Sequence, residues 1–266
     1  MSRRTRITGL VVLGILAYAV FLAVTVPLPV AWSWIGPRLT LRLYQPTGTL
    51  WSGGAAALVQ GPRRLDAVRW TLHPSALMTL ALGAHVSGRL PDGRVGGDVR
   101  VGPGNAVRVR DARADMDVDT LLSWAGRGGL GPFAGGHFDA LLKALELRDG
   151  RLVSADGVIN WNGAVIGPND AIPLGDLALR LQPASGGGVN GKLVSNGGVL
   201  ALDGDLALTP DGRFTLHADI APARSGDPRA RRVTGMLGLA NPEGTTRVTI
   251  SGNLNGGGLQ IRQKAR

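Results

Sequence analysis

The chain of 266 residues contains no cysteine. Disulfides, thiolate metal sites and cysteine nucleophiles are therefore excluded, and the absence suits an oxidising compartment. Aromatic residues make up only 5% of the chain, and there are four histidines. His73, His85, His137 and His217 show neither metal-ligand spacing nor an HExxH context. His73, beside Pro74, reads as a turn residue. No serine sits in a G-x-S-x-G elbow. The sequence thus offers no catalytic residue, metal ligand or cofactor site, and an enzyme is not expected.

Glycine, by contrast, is abundant. The chain has 41 of them, about twice the usual share of roughly 7%. With 44% hydrophobic residues and 16 prolines, this composition describes many short strands joined by tight turns. A disordered chain would be poorer in Leu and Val and richer in charge.

The longest apolar run, Ile7 to Val26, holds twenty residues without a charge. As a helix it would cover about 30 Å, the thickness of a bilayer core. Arg3, Arg4 and Arg6 precede it; Pro27, Pro29, Trp32 and Trp34 follow. The positive-inside rule puts the N-terminus in the cytoplasm and the rest outside, with Trp32 and Trp34 at the outer interface. A cleaved signal peptide would carry a shorter apolar core followed by a small-x-small site. Here the A-x-A triplet (Ala17, Tyr18, Ala19) lies inside the run, so an uncleaved anchor is favoured. The expected organisation is a cytoplasmic tip (1–6), a membrane helix (7–26) and an exported domain (27–266).

Formal net charge is +10, carried mostly by arginines at turns or on alternating strand positions. That is the pattern of a solvated face, with a weak affinity for anionic headgroups. Nucleic acid is excluded as a partner by topology and by the lack of any basic-aromatic recognition motif.

Beyond the membrane the dominant period is two. Leu39, Leu41 and Leu43 alternate with polar residues; Leu200, Leu202, Leu206 and Leu208 share one phase, and Phe214, Leu216, Ala218 and Ile220 the next. Pro210-Asp211-Gly212 separates the last two runs as a hairpin turn, and Asp92-Gly93, Asp149-Gly150 and Asn196-Gly197 mark others. Short helices are expected at Pro74–Leu80 and Asp119–Trp124. Phe138–Leu147 fits both periods, but its flanking glycine turns favour a strand. The glycine-rich stretch 126–136 divides the exported part as a long loop or soft subdomain boundary. Trp51 and Trp161 each follow a glycine turn, a weak internal echo. The fold class is mainly β: an antiparallel, curved or sandwich-like sheet with a few short helices.

Two motifs imitate ligand sites. Asp115-Met116-Asp117-Val118-Asp119 has the opening spacing of a calcium loop but lacks its later glycine and glutamate; strand alternation explains it. Gly186–Lys192 matches phosphate-loop spacing, but Leu193 replaces the magnesium-binding hydroxyl and a strand pattern follows. It reads as a flexible loop. Trp70 and Trp161, on strands, read as core anchors.

Four blocks, in order, resemble protein N of the type II secretion system. The first is PTGTLWSGGA (Pro46 to Ala55), containing Gly48, Trp51 and Gly53. The second is LDAVRWTLHPSALM (Leu65 to Met78), with Trp70 and Pro74. The third, LRDGRLVSADGVINWNGA (Leu147 to Ala164), holds Asp149, Gly150 and Trp161, and the fourth, LALTPDGRFTLHADIAP (Leu206 to Pro222), holds Asp211 and Gly212. The resemblance implies an accessory inner-membrane component with a periplasmic domain, supporting export of folded proteins across the outer membrane. Its implied partners are other inner-membrane or periplasmic components of that machine, and the bilayer through one helix.

A second reading comes from the alternation. The same-phase leucines would line an open, lipid-handling groove, as in AsmA-like envelope proteins. Core and groove both demand alternation, so the pattern leaves them as alternatives.

Overall fold

A computed structural model describes residues 25, 27–35, 40–61, 63–79, 81–124, 134–167, 172–224, 226–236, 241, 244–253 and 257–265. The expected membrane segment, apart from Thr25, lies outside the described residues, as do Arg3, Arg4 and Arg6. Among the described residues no helix is long and apolar enough to cross a membrane. The first described element is helix α1 (Leu28–Ile35), which includes Trp32 and Trp34. Its start is tied to the sheet: Pro27 bridges to Thr49, and Leu28 is buried.

The rest is mainly β. The strands are β1 (Arg42–Tyr44), β2 (Thr47–Gly48), β3 (Ser52–Gln60), β4 (Arg63–His73), β5 (Leu82–Leu90), β6 (Gly93–Gly102), β7 (Ala106–Asp117) and β8 (Ala134–Arg148). They continue as β9 (Arg151–Ile166), β10 (Ile172–Pro183), β11 (Val189–Gly197), β12 (Leu200–Leu208), β13 (Arg213–Pro222), β14 (Thr246–Asn253) and β15 (Gly257–Ala265). All belong to one antiparallel sheet whose order follows the chain, with β2 added beside β3. Among the described residues β1 and β15 are separate edges, so the sheet is open. Of the curved or sandwich-like forms expected, a single sheet is found: among the described residues every strand from β3 onward pairs with the next, with no switch to a second sheet.

Turn chemistry explains the meander. Asp149 and Gly150 both have positive φ, 50° and 73°, as a two-residue I′ hairpin between β8 and β9 requires. At the β12–β13 turn Gly212 has φ 85°, and the Thr209 N–H donates to the Arg213 carbonyl at 2.9 Å. Phe138–Leu147 is strand because β8 pairs along most of its length with β7 on one side and β9 on the other. That two-sided pairing outweighs its helical period. The stretch 126–136 lies mostly outside the described residues; β7 and β8, on either side of it, pair from Ala106↔Arg148 to Asp117↔His137.

Besides α1, the described residues include a 3-10 helix at Pro74–Thr79, α2 (Val118–Trp124) and α3 (Pro228–Met236). Asp92, in the β5–β6 turn, fixes the start of α2 by accepting from the Asp117 N–H (2.9 Å) and the Thr120 hydroxyl (2.8 Å). Arg63 donates to the Trp124 carbonyl at the helix end (2.8 Å). Asp227 caps α3, its carboxylate accepting from the Arg229 N–H at 2.8 Å.

Two sequence expectations are corrected locally. The Gly186–Lys192 loop ends at Gly188, and Lys192 lies within β11, where Asp203 and Asp205 of β12 hold it. Its alternation is strand-like because Val189 and Gly191 face β12 neighbours Leu208 and Leu206. His73 is the last residue of β4, not part of the turn, because it still pairs with Gly83 of β5.

Among the described residues, buried apolar side chains gather in two core clusters. One joins Leu65, Val68, Leu90 and Met116, with Leu121 and Trp124 of α2 packed against them. The other joins Ala164, Ile172, Leu174, Leu177 and Leu200 with Val233 of α3. Each helix thus seals part of the apolar face.

Candidate functional site

The first sequence block folds into a tight corner. Gly48 closes β2 at φ 84°, and a Cβ there would lie 2.6 Å from the Ser52 carbonyl oxygen. Gly53, opposite Trp70 in β4, is the seat of that indole: a Cβ on Gly53 would come 2.8 Å from Trp70 Cζ2. The Trp70 Nε1–H donates to the Leu50 carbonyl at 3.1 Å. Trp51, half-buried, accepts from the Leu72 N–H through its carbonyl at 2.7 Å. Since Pro27 bridges to Thr49, this corner is where the N-terminal segment meets the sheet. Pro74 opens the 3-10 helix that follows β4, which places the second block directly behind the first.

Trp161 repeats the arrangement in the other half. Its ring stacks on Phe138 at 5.4 Å and 13°, and its Nε1–H donates to the Gly135 carbonyl at 2.9 Å. Gly136, at φ 110°, makes the space: a Cβ there would come 2.8 Å from Trp161 Nε1. The structural counterpart of Trp161 is therefore Trp70, each seated over a glycine and bonded to a carbonyl. The echo between Trp51 and Trp161 is corrected accordingly, because Trp51 lies in a turn and Trp161 within a strand. Asp149, Gly150, Asp211 and Gly212 of the later blocks are hairpin-turn residues.

Between the two sealed clusters the apolar face stays open. Val86, Val99, Val109, Ala112, Ala140 and Leu142 line a cavity of about 270 Å³ on β5–β8. Every one of them is only half-buried, although alternation points them all to the apolar side. Cross-strand register makes the surface continuous: Val86↔Gly97, Val99↔Val109, Ala112↔Leu142. Gly97 widens it, since Ala112 Cα would be 2.9 Å from a Cβ there. At the start of β5, Leu82 and Val101 oppose one another and are 58% and 42% exposed. A half-wet apolar surface of this kind can take an acyl chain or an apolar segment of a partner.

Charged groups occupy the other face. His137 lies between two of the aspartates singled out by spacing, with Nδ1 2.8 Å from Asp117 and Nε2 3.4 Å from Asp115. The hydrogen bond with Asp117 raises the His137 pKa above its ordinary value; partial burial opposes this and Asp115 reinforces it. Sequence spacing could not pair them, because β7 and β8 meet across residues 118–133. Asp119 falls in α2, away from that pair's strands. Among the described residues no group of three or more His, Asp or Glu side chains is arranged to hold a metal ion. Arg247 makes a bidentate pair with Asp219 at 2.7 and 2.6 Å.

A family model described as type II secretion system (T2SS), protein N, matches residues 40–249, from just before β1 to within β14. Comparison with curated proteins and with solved structures yields no match.

Proposed function

The chain belongs to the type II secretion system protein N family, and from that premise we propose an accessory, non-enzymatic component anchored in the inner membrane. Residues 7–26 form the anchor, and the sheet lies in the periplasm, where it supports export of folded proteins across the outer membrane. The observation that carries this reading is the family match over almost the whole sheet. The charge asymmetry around the apolar run supports the orientation. The open edges β1 and β15 offer unpaired backbone groups, suited to adding a strand from another subunit. Purification of the tagged full chain from membranes, without overexpression, should bring other secretion-system subunits with it. Their absence after mild crosslinking would overturn the reading.

A second reading rests on the half-exposed apolar cavity: the sheet holds a lipid acyl chain, as an AsmA-like groove would. Lipid extracted from the purified full chain should then fall when Ala112→Trp fills the cavity. Equal lipid in wild type and variant would refute it.

A further inference from the structure

The face opposite the apolar cavity carries another cavity, of about 540 Å³, on β4–β7. Arg69, Arg89, Arg94 and Arg113 line it around Ser87 and Gly96. Register fixes their layout. Arg69, Ser87, Gly96 and Arg113 form one cross-strand row, so the two outer arginines stand three strand spacings apart, roughly 14 Å. Two residues along, on the same face, Arg89 directly opposes Arg94. The small residues at the centre leave the space that the guanidiniums surround.

Like charges directly opposite each other destabilise a strand pair. Asp66 and Asp115 flank the pair in the same row, opposite Arg89 and Arg94 respectively, but each makes its close contact elsewhere. Asp66 is committed to Arg64 at 2.8 Å, Asp115 to His137 at 3.4 Å, and Asp98 to His85 at 3.1 Å. Asp98 and Asp111 line the rim away from Arg89 and Arg94. Among the described residues none of the four arginines has a carboxylate within salt-bridge distance. Elsewhere in the sheet some cationic pairs are relieved. Arg100 and Arg108, also opposed, have Glu146 3.4 Å from Arg108. Lys192 sits between two aspartates, and Arg247 grips Asp219.

The geometry points to a binding site for a phosphate group, held by the planar forks of Arg89 and Arg94 with Arg69 and Arg113 closing from either side. Arginine forks match phosphate oxygens two at a time, and an anionic phosphate, monoester or diester, offsets the repulsion between Arg89 and Arg94. The phosphate belongs either to an anionic lipid headgroup or to a soluble phosphate ester.

The test is thermal melting of the full chain in neutral detergent at fixed ionic strength, titrated with glycerol 3-phosphate and with short-chain phosphatidylglycerol. At least one probe should raise the melting temperature of wild type. The double variant Arg89→Gln/Arg94→Gln should bind at least tenfold more weakly, whereas Arg180→Gln, on β10, should bind as wild type does. Without ligand at low salt the double variant should melt no lower than wild type, which separates lost binding from lost folding. A response to the lipid alone assigns the headgroup; a response to both assigns the soluble ester group. No rise in wild type with either probe, or an equal rise in the double variant, would overturn the site.

Discussion

Gly53→Ala tests the physical meaning of the first sequence block. The added methyl would meet Trp70 Cζ2 at 2.8 Å, the Thr49 carbonyl oxygen at 2.8 Å and the Thr47 carbonyl oxygen at 2.9 Å. Two of those three atoms are backbone, so a simple side-chain rotation cannot clear the clash. Overpacking of this kind costs about 1–3 kcal/mol. Displacing the indole also breaks its hydrogen bond to the Leu50 carbonyl, adding about 1 kcal/mol. The expected loss is about 2–4 kcal/mol, or roughly 4–16 °C in melting temperature for a domain of this size. Near-UV circular dichroism of the full chain in neutral detergent reads both the melting and the indole environment. Gly186→Ala is the control: a Cβ there meets nothing within 4 Å, and its effect should stay within about 0.5 kcal/mol. Equal stability of the two variants would refute the seat.

Trp161→Phe keeps the stacking on Phe138 but leaves the Gly135 carbonyl without its donor; chemical denaturation should show a loss of about 1–3 kcal/mol. Leu200→Ala, at a residue only 1% exposed, should cost about 2–5 kcal/mol in the same assay, whereas Leu141→Ala, on the exposed face, should cost far less. His137 has a raised folded pKa, so its stabilisation is fully present below the unfolded value near 6.5 and is lost as pH rises through the folded value. His137→Gln should therefore melt below wild type at pH 6 and converge with it at pH 8.5; a constant difference across that range would contradict the ion pairs with Asp115 and Asp117.

The meander was legible because its turns are chemically explicit: Asp149-Gly150 and Pro210-Asp211-Gly212 fix two-strand hairpins wherever they occur. The short helix at 119–124 was legible for the same local reason. Helix α3 was not, since Pro228–Met236 is rich in arginine and its apolar contribution rests on Ala230 and Val233 alone. Single sheet versus sandwich could not be read either. Alternation tells which residues share a face, but only long-range pairing tells whether that face meets a second sheet, a helix or solvent. Alternation places Trp70 and Trp161 on strands, as found, but their likeness to one another is not legible from spacing. The seat of Trp70 is Gly53 on a neighbouring strand, seventeen residues earlier, a relation that local spacing does not carry. The arginine cluster likewise comes from four strands and has no motif.

The most direct test of the proposed role uses the absence of cysteine. Ser185→Cys, in the exposed β10–β11 turn, introduces one thiol into the full chain with almost no change in shape. In intact cells whose outer membrane has been permeabilised, a maleimide that cannot cross the inner membrane should label it fully. Labelling that appears only after the inner membrane is broken would put the sheet in the cytoplasm and contradict the account.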